Sequence, residues 1–195
     1  MSMSETPSKR EIIGLDIGTG DRGSGFVCIS TSASDRDPVS ADNTELVWAQ
    51  MRPNAVLLED MRRMDTRPPD PRRYVFEGIS SYGKKVGGDT FGTLKWIWRM
   101  FEAIDSRRRP GSPEPVIVIR RIVSAHLVGA CPKGKMDAMI KRALAERFAG
   151  MGAEPRTAVG LKKSPGPLYG VAKDMWSALA VAVAYVEGAK VEENP

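Results

Sequence analysis

Three acidic residues each stand alone in an apolar stretch of the chain. Asp16 lies inside the run at 12–17, Glu77 ends the run at 74–77, and Asp174 precedes a long apolar segment. A carboxylate in an apolar element is costly to bury unless it is paired or binds a cation. Carboxylate oxygens suit Mg²⁺ or Mn²⁺, and two such ions can stabilise the attacking and leaving oxygens of a phosphoryl displacement. In the alternative interpretation, Asp16 caps a turn, Glu77 pairs with an arginine, and Asp174 is an exposed helix acid.

Whether these acids meet depends on the strands that carry two of them. Alternating or continuous apolar patterns predict strands at 11–17, 25–31, 45–51, 74–77 and 116–119. The first three follow one another as an antiparallel meander. The run at 116–119 is short and entirely apolar, which is typical of a buried parallel strand. If the first and fourth strands are neighbours, Asp16 and Glu77 point into one pocket.

Four segments have the apolar spacing of helices, at 55–64, 91–104, 134–148 and 169–187. Residues 153–167 contain glycines, prolines and two lysines and are assigned mostly to loop. The last helix is apolar all round over much of its length, so that part is predicted to be buried between other elements. The order predicts an α/β fold in which helices flank a mixed five-stranded sheet.

The 195-residue length favours one domain. We expect a disordered tail at 1–9, a domain at 10–189 and a flexible tail at 190–195. The N-terminus lacks the apolar segment of a signal peptide and no apolar run reaches the roughly 18 residues of a membrane span, so a cytoplasmic location and no membrane partner are expected. A single histidine and two distant cysteines make a zinc site or a Ser-His-Asp hydrolase less attractive.

The net charge is +5, and the basic residues are grouped. Such groups suit a polyanion and favour nucleic acid as the partner, although any one of them is also consistent with a solvated loop. The groups are Arg62-Arg63, Arg72-Arg73, Lys84-Lys85, Arg107-Arg108-Arg109, Arg120-Arg121 and Lys162-Lys163.

The beginning of the chain resembles the opening motif of the RuvC-type Holliday-junction resolvases, which belong to the RNase H-like nuclease superfamily. The segments that carry this resemblance are Gly-Leu-Asp-Ile-Gly-Thr-Gly at 14–20 and Gly-Ser-Gly-Phe at 23–26. Phe76-Glu77 with the loop after it resembles the second acidic motif. Residues 123–129 resemble the segment before a basic DNA-contacting position, and 174–182 resemble the C-terminal acidic motif. The resemblance implies an RNase H-like fold and a homodimeric, Mg²⁺- or Mn²⁺-dependent endonuclease that resolves four-way DNA junctions by paired nicks, with two ions in each active site.

Carried over by position, the resemblance makes Asp16, Glu77 and Asp174 the catalytic and metal-binding acids. Ser177 stands where the family usually has another aspartate, and serine is a poor metal ligand. Asp137 and Asp21 are conceivable substitutes, and another possibility is that one ion is held through water.

The DNA-contacting positions are implied in the same way. Lys135 matches a basic position near the scissile phosphate, whereas Ser124 stands where the family tends to have a lysine. Tyr82 is the candidate for a wedge that stacks on bases at the junction centre. Lys84 and Lys85 in the same loop, together with Lys133 beside Lys135, are the remaining DNA-binding candidates; a solvated surface position is the alternative for these residues.

Two rival functions remain open. The segment 16–20 also resembles the phosphate-binding opening of actin-like ATPases and sugar kinases, but those need two such domains and a second phosphate loop. The other rival is an RNase H-like protein that binds branched DNA without cutting it, which the serine at 177 motivates. The resemblance leaves open whether the setting is a bacterial cell or a phage-infected host, with a slight preference for phage. The second predicted helix is apolar on more than one face and is the candidate dimer interface.

Overall fold

A five-stranded mixed sheet forms the centre of the protein. The computed structural model describes residues 9–19, 23–32, 37–63, 72–79, 87–130, 132 and 134–191. Its strands are ordered β3-β2-β1-β4-β5, and the first three are antiparallel while β1, β4 and β5 run parallel. The predicted fold class, with its meander and two further parallel strands, is confirmed. The strands are β1 (Arg10–Asp16), β2 (Ser24–Thr31), β3 (Thr44–Arg52), β4 (Arg73–Gly78) and β5 (Val116–Ile119).

Helices cover both faces of this sheet. One face is covered by α1 (Asn54–Arg63) and α2 (Gly88–Asp105), and the other by α3 (Arg120–Val128), α4 (Met136–Phe148), α5 (Pro155–Val159) and α6 (Met175–Val186). Alternation along β1 sends Ile13 and Leu15 to the α1–α2 side and Ile12 to the α6 side. Helix α6 lies directly on β1 and β2, and ten of its twelve residues are buried. Its prediction as a buried helix is therefore confirmed.

The far end of α6 is fixed by a buried carboxylate. Glu187 accepts two hydrogen bonds from the Arg147 guanidinium, at 2.7 and 3.0 Å, and one from the backbone amide of Val39 at 3.0 Å. The Nε2 atom of His126 lies 3.3 Å from the same carboxylate. This cluster ties α3, α4 and the segment before β3 to the C-terminal end of α6.

Several predicted boundaries are wrong. The apolar spacing predicts no helix between 105 and 133, yet α3 begins at Arg120, immediately after β5, and buries Val123 and Leu127 one turn apart. The last helix begins at Met175 instead of 169, because Gly170 and Lys173 both have left-handed φ values, 89° and 49°, that no right-handed helix contains.

The segment assigned mostly to loop also contains regular structure. Residues of α5 lead into a small hairpin of β6 (Gly160–Leu161) and β7 (Ser164–Pro165). These elements are too short for hydrophobic periodicity to reveal them. Within the described parts of the chain, no helix is long and apolar enough to cross a membrane.

Candidate functional site

The carboxyl ends of β1 and β4 bring Asp16 and Glu77 together. These strands pair in parallel with Leu15 opposite Phe76, so the next residue of each strand turns to the opposite face of the sheet, beneath α6. The side chains of Asp16 and Glu77 are hydrogen-bonded to each other in a cleft of about 240 Å³. The sequence-based expectation that the two acids share one pocket agrees with this geometry.

Burial changes the protonation of this pair. Desolvation is the main cause that raises the pKa of both carboxyl groups. For Glu77 the charge of the nearby Asp16 carboxylate raises the pKa further, and the pKa is about 8. The hydrogen bond between them raises the pKa of Glu77 and lowers that of Asp16, so Glu77 carries the proton and donates it. With a pKa of about 8, Glu77 therefore carries a proton at neutral pH when no metal ion is bound.

Helix α6 brings two more polar groups to the pair because two strand glycines let it approach closely. A Cβ atom on Gly14 would lie 2.0 Å from the backbone oxygen of Ala178, and one on Gly25 would lie 2.2 Å from the backbone oxygen of Asp174. Any larger residue at either position would push the helix away from the sheet. At this short distance the Ser177 side chain hydrogen-bonds Asp16, and the charge of Asp174 raises the pKa of Asp16.

The chain that leaves Asp16 is anchored by a buried polar network. The Ser24 hydroxyl accepts a 3.2 Å hydrogen bond from the Gly18 amide and contacts the Asn54 side-chain oxygen. The Asn54 amide in turn donates to the Gly18 carbonyl at 2.9 Å. Ser24 and Asn54 are at most 1% exposed, so these contacts are shielded from water. The network fixes the backbone two residues beyond Asp16.

A guanidinium group closes one side of the cleft. Arg120, the first residue of α3, places Nη1 3.5 Å from Glu77 Oε2 and Nη2 3.0 Å from Asp137 Oδ1. The charges of Glu77 and Asp16 raise the pKa of Arg120, so it remains a cation. The cleft thus contains both acids and bases. Its lining residues are Asp16, Glu77, Arg120, Asp137, Ile140, Lys141, Lys173, Asp174, Trp176, Ser177 and Ala180.

The donor set fits a hard divalent cation. Mg²⁺ is commonly held by one or two carboxylates and several waters, and Asp16 and Glu77 are two adjacent buried carboxyl groups of that kind. Asp174 stands close enough to act on the charge of Asp16. Among the described residues, no three acidic, histidine or cysteine side chains already form a cluster that could hold a metal ion. The fit therefore rests on the Asp16–Glu77 pair, with Asp174 as an adjacent acid.

The remaining predicted positions are distributed differently. Lys135 lies exposed just before α4, and among the described residues it is not part of the cleft lining. Ser124 is only 6% exposed and faces the core. Asp137, a conceivable substitute for the missing acid at 177, lines the cleft and binds Arg120, and its role as a metal ligand stays a prediction. The other DNA-binding candidates, Tyr82, Lys84, Lys85 and Lys133, and the possible ligand Asp21 lie outside the described residues.

The arginine and the glycines are functional positions that the sequence reasoning missed. In the sequence, Arg120 stands out only as part of a basic pair. Gly14 and Gly25 stand out only as parts of a motif, although a glycine inside a strand often marks a close backbone approach. That signal indicates where a helix can approach, but it does not indicate which helix.

The fold matches that of RuvC. The solved structure of Thermus thermophilus RuvC in complex with a Holliday junction substrate superposes with a TM-score of 0.51 at 17% identity, covering 93% of this chain and 99% of that one. A second T. thermophilus RuvC structure has a TM-score of 0.47 at 17% identity and covers 91% and 93% of the two chains. No protein-family model and no curated protein matches the sequence. At this identity the likeness establishes the RNase H-like fold of RuvC.

Proposed function

We propose that the protein is a metal-dependent, structure-selective DNA endonuclease that resolves four-way junctions by paired symmetric nicks. The observation that carries the proposal is the buried Asp16–Glu77 pair. It lies at the carboxyl ends of β1 and β4, under the start of α6, and Asp174 is beside it. The RuvC fold and the excess of basic residues support DNA as the substrate. The setting we propose is the cytoplasm of a bacterial or phage-infected cell.

The roles of the residues follow from their positions. Asp16 and Glu77 would hold Mg²⁺ or Mn²⁺, with Asp174 as a further ligand, and a bound ion would supply an activated water and stabilise the charge that develops on the phosphate. Ser177 keeps the Asp16 carboxylate oriented through its hydrogen bond. The number of ions in the site remains a prediction. Two ions are expected from the family, but Ser177 offers a neutral hydroxyl where the family has a carboxylate for the second ion.

The decisive experiment is incubation of a labelled four-way junction with the protein and Mg²⁺. We expect paired nicks at symmetric positions that leave 5′-phosphate and 3′-hydroxyl ends. Duplex DNA of matched sequence serves as the control substrate. Junction binding without cleavage in Mg²⁺ or Mn²⁺ would support the inactive DNA-binding alternative, and ATP hydrolysis without DNA would support the actin-like one.

Metal binding is expected to strengthen as the pH rises. Glu77 has a pKa of about 8 instead of 4.5, mainly because of burial; the charges of Asp16 and Asp137 add to this rise, and the charge of Arg120 opposes it. A cation must displace the proton on Glu77, so below pH 8 the affinity for Mg²⁺ should rise about tenfold per pH unit and then level off. Titration calorimetry at pH 6 to 9 measures the affinity, the number of ions and the proton released.

Stability without metal should change in the opposite direction. Between pH 4.5 and 8 the folded protein binds more protons than the unfolded chain, because the pKa of Glu77 is raised on folding, so the free energy of unfolding falls as the pH rises. Melting in EDTA measures this change. Glu59→Gln removes an exposed acid on α1, away from the cleft, and should leave this pH dependence of stability unaltered. A metal affinity that is independent of pH between 6 and 8 would contradict the assignment.

The protein is further proposed to act as a homodimer, because two symmetric nicks need two active sites related by a two-fold axis. Phe91 and Trp98 lie two turns apart on α2 and are 64% and 48% exposed, which gives this helix an apolar outer stripe. A second copy of the chain would cover that stripe.

Disrupting the stripe should separate the protomers. We expect the double variant Phe91→Glu/Trp98→Glu to be a folded monomer at micromolar concentration, measured by light scattering, and to make single instead of paired nicks. Val47→Glu changes an equally exposed apolar residue on the edge strand β3 and should leave the dimer intact. A wild-type protein that is monomeric at these concentrations would exclude this interface.

A further inference from the structure

Arg120 differs from the other cations of the cleft in how it is held. It follows β5 directly, and β5 pairs with β4 so that Val118 lies opposite Glu77. The sheet therefore fixes the backbone from which the guanidinium extends, whereas Lys141 lies on the exposed side of α4 and Lys173 in a turn. Arg120 is the lining cation that directly follows a strand of the sheet, and that strand pairs with the one that carries Glu77.

The two carboxyl contacts of Arg120 are unequal. The contact with the buried Glu77 is 3.5 Å long and uses one nitrogen, whereas the contact with Asp137 is 3.0 Å and comes from a carboxylate whose side chain is 74% exposed. A 3.5 Å contact is at the limit of a hydrogen bond. Asp137 is thus the closer partner of the guanidinium at the cleft edge, while the longer contact with Glu77 can be exchanged for another oxygen.

The guanidinium also remains accessible. The Arg120 side chain is 47% exposed, although it lies next to an acid that is only 6% exposed. It carries more N–H donors than its two contacts occupy, in a planar fork that matches the oxygens of a phosphate. A buried structural arginine would instead direct its donors into the protein.

We infer that Arg120 is a phosphate-binding residue of this site, positioned by Asp137 to hold a non-bridging oxygen of the DNA phosphate next to Asp16 and Glu77. This inference rests on the proposed nuclease function and adds to it a protein cation at the scissile phosphate. The guanidinium exchanges its weak contact with Glu77 for the phosphate oxygen when DNA enters the cleft. Asp137 is then a positioning residue that acts through Arg120.

The test measures junction binding in Ca²⁺ over a range of salt concentrations and cleavage in Mg²⁺. Removing one phosphate contact lowers the slope of log affinity against log salt by about 1 and weakens binding at every sequence. We expect Arg120→Gln to show this loss together with a cleavage rate at least about tenfold lower, and Arg120→Lys to restore the salt slope but only part of the rate. Asp137→Asn should keep the salt slope and lower the rate.

A control variant and a melting measurement separate the possible outcomes. Lys9→Gln removes one exposed positive charge at the amino end of β1, the end away from Asp16, and should leave both the slope and the rate as in the wild type. In the alternative, Arg120 serves only as a structural partner of Glu77. Arg120→Gln will then lower the melting temperature in EDTA, while the salt slope and the cleavage rate at saturating Mg²⁺ stay unchanged. That result would overturn the inference. If the wild type itself fails to cut junctions, the proposed function fails; an unchanged salt slope in Arg120→Gln alone refutes only the role of Arg120.

Discussion

Asp16→Asn is expected to lower junction cleavage by at least about a thousandfold, because groups that act together at one site lose most of their effect when one is removed. The amide oxygen can still accept the hydrogen bonds that Glu77 and Ser177 make to this position. Removing a buried charge should also raise the melting temperature in EDTA at pH 8. The variant is therefore expected to be stable, folded and able to bind junctions.

Cleavage assays under single-turnover conditions, thermal melting and junction binding in Ca²⁺ measure these three properties. Asp105→Asn, an exposed acid at the end of α2, is the matched control and should cut like the wild type. Activity of Asp16→Asn within a few-fold of the wild type would remove Asp16 from the catalytic centre, whatever the other acids do.

Gly25→Ala is expected to reduce cleavage by about a hundredfold, although it alters no polar group, because small displacements of a site have effects of that size. The new Cβ atom would lie 2.2 Å from the backbone oxygen of Asp174, so the start of α6 must move outward. Asp174 and Ser177 would then withdraw from Asp16. The overpacking should also lower the free energy of unfolding by about 1–3 kcal/mol.

Gly92→Ala is the control for this substitution. Gly92 lies inside α2 with open space where an added methyl group would stand, so alanine there should increase stability by about 1 kcal/mol and leave cleavage unchanged. Tryptophan fluorescence reports the movement, since Trp176 lies in the first turn of α6 and lines the cleft. Wild-type cleavage and unchanged fluorescence in Gly25→Ala would mean that α6 tolerates the extra atom.

The strands could be predicted from the sequence because they depend on local pattern, whereas the meeting of the two acids was conditional on the first and fourth strands being neighbours. Apolar runs indicated β1 and β4, and the structure pairs them in parallel, so that Asp16 lies beside Glu77. What could not be predicted depends on distances between remote segments. Nothing in the composition of the chain places the backbone of Asp174 against Gly25, or directs Arg120 toward Asp137.

Asn54 illustrates the same limit on a smaller scale. It is the first residue of α1, one position before the helix predicted at 55–64. Its side chain, however, also holds the Gly18 carbonyl and contacts Ser24, and both of these residues belong to a distant part of the sequence. A local rule identifies the residue type but not its long-range partner, which here anchors the chain next to Asp16.

The anchoring of α6 at both ends has a consequence for dynamics. Its first turn rests on the backbone of β1 and β2, and its last turn is followed by Glu187 with its contacts to Arg147, His126 and Val39. Amide protons in the middle of α6 should therefore exchange with solvent only when the whole protein unfolds. The acids of the cleft are consequently assembled in the same cooperative event that forms the core, and the site stays assembled for as long as the protein is folded.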